Sequence, residues 1–272
     1  MIDLQYIRNF YPTNISGNPR FDRLMLKEYL QLLILDYLQT SKYAPRLTFI
    51  GGTCLRHVYG IDRFSEDLDF DCKQLTQEDF MEMTDDVITH LQRNGVNAVA
   101  RDKNNSRLTA FRRNIYFPEL LFDLNLSGHR DERLVVKIEA QDQGIDYEPQ
   151  VVTINKLGFT FLLRCAPADI ICSMKIAALL GRGKGRDFYD LIFLSSFTYP
   201  NFNFLRERCG ITDGAELKTA LDDVLSRTDL QLKRQDFAHL VIDDRQADKI
   251  LLFSNIIPAL CHYSAGEQTK EL

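Results

Sequence analysis

Apolar and polar positions alternate with two different periods, helical and strand, along this 272-residue chain. Residues 21–39, FDRLMLKEYLQLLILDYLQ, put Leu24, Tyr29 or Leu30, Leu33 and Tyr37 near helical spacing and predict an amphipathic helix. RLTFI (46–50) reads as a short strand ending at Gly51-Gly52, and TCLRHVYG (53–60) as a short helix started by Thr53 and stopped by Gly60. EDLDFDC (66–72) alternates acid with apolar residue, which is strand periodicity. A helix follows over 76–95, capped by a Thr and closed by a Gly. VNAVARD, RLTAFRRNIYF, LLFDLNLS and RLVVKIEAQD are β-like, and in the last of these Val136, Ile138 and Ala140 face one way while Val135, Lys137 and Glu139 face the other.

From about residue 167 the period is helical. PADIICSMKIAALLGR, with Pro167 at its first turn, and DFYDLIFLSSF flank a glycine-rich basic turn, GRGKGR (181–186). DGAELKTALDDVLSR and DRQADKILLFSNIIPALCHYS predict two further helices, the second kinked at Pro258. The expected fold class is α/β in the α+β sense. A mixed sheet flanked by helices occupies 1–158, and an α-helical domain that completes the active-site cleft occupies 159–272.

Composition narrows this picture only a little. With 45% hydrophobic and 26% charged residues the chain has the make-up of a globular protein with a real core. Its formal charge of −5 excludes a global basic field for nucleic acid, so a basic patch has to be local. Residues 101–113 supply one candidate: Arg101, Lys103, Arg107, Arg112 and Arg113 against the single acid Asp102, suited to an RNA backbone or to a solvated hairpin. The six cysteines form no C-x-x-C pair and have no His cluster at zinc spacing, which favours reduced thiols and a cytoplasmic protein. No signal peptide and no membrane span are expected.

Strand periodicity puts Asp67 and Asp69 on one face, about 7 Å apart. Two carboxylates so close repel unless a cation lies between them, and Mg²⁺ suits such a pair together with phosphate oxygens. The Gly51-Gly52 turn at a helix start lets backbone N–H groups approach a phosphate. In the apolar helix PADIICSMKIAALLGR Lys175 is conspicuous, and Arg182 falls on its face seven residues later, a pairing suited to a triphosphate or to a lysine snorkelling outward. GRGKGR lacks the G-K-[ST] ending of a P-loop. Arg56 and Arg63 flank the motif as possible phosphate or bracing groups, and His57 reads as a structural histidine rather than a general base.

The run GGTCLRHVYGIDRFSEDLDFD resembles the signature of the AbiEii/AbiGii toxin family of nucleotidyltransferases, within the DNA polymerase β-like superfamily. A lysine-bearing helix, a basic turn and RDFYDL (186–191) continue the likeness, which spans most of residues 24–195 and is weak beyond 200. The resemblance implies the nucleotidyltransferase fold and Mg²⁺-dependent transfer of a nucleoside monophosphate from an NTP, with two metal ions. Gly51, Gly52 and Thr53 would hold phosphates, with Arg63, Lys175 and Arg182 as further nucleotide contacts. Asp67 and Asp69 would ligate metal with a third acid, for which Glu139 is preferred and Asp123 competes. Lys175 and Asp187 match the family's helix lysine and later aspartate, and Asp190 shares the Asp187 face. The implied role is the toxin of a toxin–antitoxin or phage-abortive-infection system, with a cognate antitoxin and an RNA acceptor such as a tRNA 3′ end. A small-molecule acceptor of the aminoglycoside type, a protein acceptor and a non-catalytic nucleotide-binding module are the alternatives.

Overall fold

The computed structural model describes residues 2–101 and 110–262. They form two compact units. The first takes in the chain to Gly60, Phe64–Gly144 and Pro149–Cys165; the second takes in Ile61–Arg63, Ile145–Glu148 and the chain from Ala166.

The first unit is built on a mixed seven-stranded sheet. Its strands are β1 (Leu47–Ile50), β2 (Asp67–Cys72), β3 (Val99–Ala100), β4 (Phe111–Phe117), β5 (Leu134–Gln141), β6 (Gln150–Lys156) and β7 (Phe159–Cys165), in the order β3-β4-β5-β2-β1-β7-β6. β2 runs parallel to β5 and antiparallel to β1, and β1 is parallel to β7. The two-residue period sorts the faces. Leu68 and Phe70 of β2 and Val136, Ile138 and Ala140 of β5 are buried, and the helices Asp22–Thr40 and Gln77–Arg93 pack on the sheet. The other face carries Asp67, Asp69, Val135, Lys137 and Glu139, each half-buried.

The 22–40 helix is more deeply placed than an amphipathic stripe requires. Leu26, Leu30, Ile34 and Leu38 are buried, but so are Met25, Leu32 and Leu35, whereas Leu24, Leu33 and Tyr37 are only half-buried. It meets β5, β7 and the 77–93 helix, so it behaves as a core helix apolar nearly all round. The 77–93 helix opens with a capping box in which Thr76 and Asp79 exchange backbone and side-chain bonds. LLFDLNLS is not a strand. Glu119 (φ 59°) and Asn125 (φ 56°) are left-handed, and between them the chain makes only the short helix Leu120–Asp123. Residues 159–165 are not helical either: β7 hairpins with β6 through Leu157-Gly158, both at positive φ, as a two-residue hairpin turn demands.

The second unit is helical: Ala168–Arg182, Gly185–Leu194, Phe202–Cys209, Gly214–Ser226, Leu230–Phe237 and Phe253–Cys261. The expected single last helix begins instead as a 3-10 stretch, Asp244–Leu252, and Pro258 lies inside the helix that follows. Cys54, Cys72, Cys165 and Cys172 are buried thiols, and Cys209 and Cys261 are half-buried. Among the described residues no helix is long and apolar enough to cross a membrane.

Between β1 and β2 the chain forms Gly51–Cys54 as an α turn and Leu55–Tyr59 as a π turn, ended by Gly60 at φ 77°. A polar network braces this segment. Arg56 donates to Glu28 at 2.6 and 3.3 Å, and Tyr11 donates its hydroxyl to the same carboxylate. His57 is buried beside it with neither ring nitrogen hydrogen-bonded. Burial pushes His57 down to about 4. Burial works against the Glu28 charge, but Arg56 prevails and holds the carboxyl near 2. Both shifts have the same sign for stability. The folded protein binds fewer protons than the unfolded chain, so stability is full above pH ~6.5 and falls as pH drops, first through His57 and below ~4.5 through Glu28. Urea unfolding at pH 5 should therefore show about 2 kcal/mol less stability than at pH 7.5 from His57 alone. In His57→Phe that difference should largely vanish; an unchanged difference would place the titration elsewhere.

Candidate active site

β2 presents Asp67 and Asp69 on the half-exposed face because Leu68 and Phe70 take the core face. The parallel register sets Asp67 beside Lys137 and Asp69 beside Glu139, and antiparallel β4 sets Arg112 beside Glu139. Three carboxylates and two cations thus lie side by side on three adjacent strands. Lys137 Nζ lies 2.9 Å from Asp67 Oδ2 and 3.0 Å from Glu139 Oε1, and Arg112 Nε approaches that same Oε1 at 2.5 Å. Glu139 Oε1 takes no well-directed hydrogen bond, so charge rather than bond geometry holds it. Burial disfavours the Lys137 charge, but Asp67 and Glu139 outweigh it and raise the lysine above its ordinary range. Among the described residues no group of three or more His, Cys, Asp or Glu side chains converges at metal-ligand distance. The cation that lies between Asp67 and Glu139 is Lys137.

Gly51 abuts this cluster. Its φ is +80°, and a Cβ there would lie 2.3 Å from Asp69 Oδ2 and 2.9 Å from Asp69 Cβ. The glycine therefore serves both the left-handed backbone and the close approach to Asp69. Gly51→Ala should cost about 1–2 kcal/mol of stability from the backbone alone. It should also lower the activity of the site by roughly 10²-fold, the usual scale for displacing a reacting group by about 1 Å. Parallel urea melts and turnover assays check this, and an alanine variant of normal activity would remove Gly51 from the site. Thr53 is buried, and its hydroxyl donates to the Asp67 backbone carbonyl, fastening the turn to β2. Its backbone N–H and those of Gly51 and Gly52 open the turn. Asp71, the last acid of β2, is buried and accepts the Gln143 N–H at 3.0 Å.

The other candidates separate into different roles. Asp123 is exposed at the end of the Leu120–Asp123 turn, outside the sheet. Within the helical unit, Arg63 is fully buried and donates to both Asp190 oxygens at 2.7 Å, and Lys175 Nζ meets Asp190 Oδ2 at 2.7 Å. Burial alone would raise the Asp190 carboxyl, but Arg63 and Lys175 hold it below its usual range. Arg182 is half-exposed and donates to Asp187 at 3.0 and 2.8 Å, and the Lys184 N–H adds a bond to the same carboxylate at 3.2 Å. Of the basic stretch, Arg113 is turned inward onto Asp85 and Arg112 onto Glu139; Lys103 and Arg107 lie outside the described residues. Lys137 and Arg112 are the members of the site that sequence reasoning did not assign to it. The alternation of RLVVKIEAQD already put Lys137 on the Glu139 face.

The fold agrees with comparison to known proteins. The family model for the nucleotidyl transferase AbiEii toxin, of type IV toxin–antitoxin systems, matches residues 33–252. Among solved structures the chain is similar to MenT4, a nucleotidyltransferase toxin of Mycobacterium tuberculosis H37Rv (TM-score 0.55, 17% identity, covering 96% of this chain and 100% of that one). It is also similar to JHP933 of Helicobacter pylori (TM-score 0.51, 21% identity, covering 86% of this chain and 91% of that one). At these identities the likeness is one of fold. Comparison with curated proteins yields no match.

Proposed function

Because the chain belongs to the AbiEii family of nucleotidyl transferase toxins, we propose that it transfers a nucleoside monophosphate from an NTP to a hydroxyl of RNA, a tRNA 3′ end being the expected acceptor. The observation that carries the site assignment is the register of β2 and β5, which aligns Asp69 with Glu139 and Asp67 with Lys137 on one half-exposed face. The donor set fits a hard divalent cation: three carboxylates, with an ammonium group already seated between two of them. Asp67, Asp69 and Glu139 would hold Mg²⁺, which when bound supplies Lewis-acid stabilisation of the phosphoryl oxygens.

The chain's own groups do the rest. Asp67 and Asp69 would fix the cation's position beside the α-phosphate, and the first-turn amides after β1 face the remaining phosphate charge. Glu139, on the neighbouring strand, takes the proton of the attacking hydroxyl as the new ester bond to the α-phosphorus forms and pyrophosphate leaves. Arg112 stays paired with Glu139 and keeps it aimed at that hydroxyl. Support for a polyanionic acceptor comes from a cavity of about 170 Å³ whose lining includes three arginines, Arg101, Arg130 and Arg133, against two acids, Glu119 and Asp131, with Arg130 paired to Glu119 and Arg133 over the Tyr116 ring at 5.9 Å. Tyr116 pairs with Val135, four residues along β5 from Glu139, so this cavity lies about 14 Å along the same sheet face. Arginine over an aromatic ring is a stacking platform for unpaired bases. A toxin of this family also implies a cognate antitoxin.

The test is incubation with α-labelled NTPs and Mg²⁺, with total tRNA in one arm and aminoglycosides in the other. Label on the RNA 3′ end is expected. Label confined to the small molecule would overturn the RNA reading while leaving nucleotidyl transfer intact.

A further inference from the structure

We propose that Lys137 is a resident counter-cation of the acid cluster: its ammonium group holds Asp67 and Glu139 together in the metal-free protein and is displaced when a divalent cation enters. The proposal rests on the reading above that Asp67, Asp69 and Glu139 are the metal ligands. Three carboxylates in register on two parallel strands repel one another, and an unfilled cluster of this kind either splays or takes up a proton. Here a cation of the chain itself lies between Asp67 and Glu139 and holds them together. Its position is set by the backbone, since Lys137 lies directly opposite Asp67 and two residues before Glu139 on the same face. Its ammonium spans the two carboxylates at 2.9 and 3.0 Å.

The side chain is also placed so that it can leave. Lys137 is 26% exposed and carries its charge on a flexible stem, whereas Lys175, at 8%, is closed in with Arg63 against Asp190. When Lys137 withdraws, Glu139 keeps Arg112, so the third acid stays anchored while the metal position opens. Metal entry then exchanges a monovalent charge for a divalent one within a frame already assembled. The consequence is a wild-type protein that binds metal more weakly, but into a better ordered site, than one without the lysine.

Mn²⁺ binding to the full chain, followed without nucleotide by calorimetry or by loss of the free-ion spin-resonance signal, tests this apart from catalysis. Lys137→Met should bind Mn²⁺ at least about tenfold more tightly than wild type. Lys73→Met removes the same charge from a pair with Asp142 just past the end of β2, and should change affinity less than twofold. Equal affinity in wild type and Lys137→Met, or an equal gain in Lys73→Met, would overturn the proposal. A second measurement uses only the wild-type protein. Saturating Mg²⁺ should speed acetylation of Lys137 by an amine-reactive reagent, read by mass spectrometry, with Lys73 as the internal reference; protection of Lys137 would overturn displacement. No Mn²⁺ binding by either protein would instead sink the metal reading of the site, and this inference with it.

Discussion

Asp67→Ala and Asp69→Ala should each abolish nucleotidyl transfer and cellular toxicity while leaving the protein folded. The expected loss in kcat/KM is about 10³-fold or more, roughly 4 kcal/mol of transition-state stabilisation. It is large because each carboxylate would help hold the divalent cation that offsets the charge developing at the reacting phosphate. Glu139→Gln should fall in the same class, since Glu139 stands opposite Asp69. Asp123→Asn should keep near-normal activity, since Asp123 ends an exposed turn outside the sheet. Both β2 acids are half-buried on the open face, so thermal unfolding without metal should change little. Turnover with labelled NTP, run beside thermal melts, separates loss of chemistry from loss of fold. Wild-type transfer by the alanine variants would refute the site.

Asp190→Ala gives the largest stability effect. Asp190 is fully buried and holds two cations, Arg63 through two bonds of 2.7 Å and Lys175 through one of 2.7 Å. Removing the shared anion leaves both cations uncompensated in the interior, at a cost of about 3–5 kcal/mol. Domains are typically stable by only ~5–15 kcal/mol, so the variant should lose a large part of its folded population at ordinary temperature. Adding Lys175→Met to Asp190→Ala should recover part of the loss by removing one stranded charge. Urea midpoints of the wild type, the single and the double variant test this, and a loss below about 1 kcal/mol would mean that water reaches the triad. The arrangement also bears on how RDFYDL is read. Asp190 receives Lys175, while Asp187 caps the start of its own helix and binds Arg182.

Local periodicity carried much of this site into the sequence. The face shared by Asp67 and Asp69 follows from the strand period alone, as does the pairing of Lys137 and Glu139 on one side of β5. The Thr76–Asp79 capping box and the left-handed Gly60 are similarly local. What stayed hidden depends on partners far along the chain. Arg63 and Asp190 are 127 residues apart, so nothing near either residue announces a buried pair, and Lys175 without them looks like a free cation. Lys137 shows its face but not its partner, because the parallel register of β2 against β5 has no local signature. LLFDLNLS is too short and too apolar for periodicity to separate a helical turn from a strand. The β6–β7 hairpin is masked for a different reason. Val151 and Leu162 are apolar yet exposed, which blurs the alternation, and Leu157 occupies a turn position where Asn or Asp would have been a signal.

Asp67, Asp69 and Glu139 are proposed together to form the metal-dependent transfer centre of this AbiEii-family toxin. The most direct measurement is a crystal structure with Mn²⁺ and a non-hydrolysable NTP, the metal located by its anomalous signal. The expected result is Mn²⁺ bound to Asp67, Asp69 and Glu139, with the triphosphate beside Gly51 and Lys137 withdrawn from Asp67. Metal bound elsewhere, or held through Asp123 with Glu139 turned away, would contradict it.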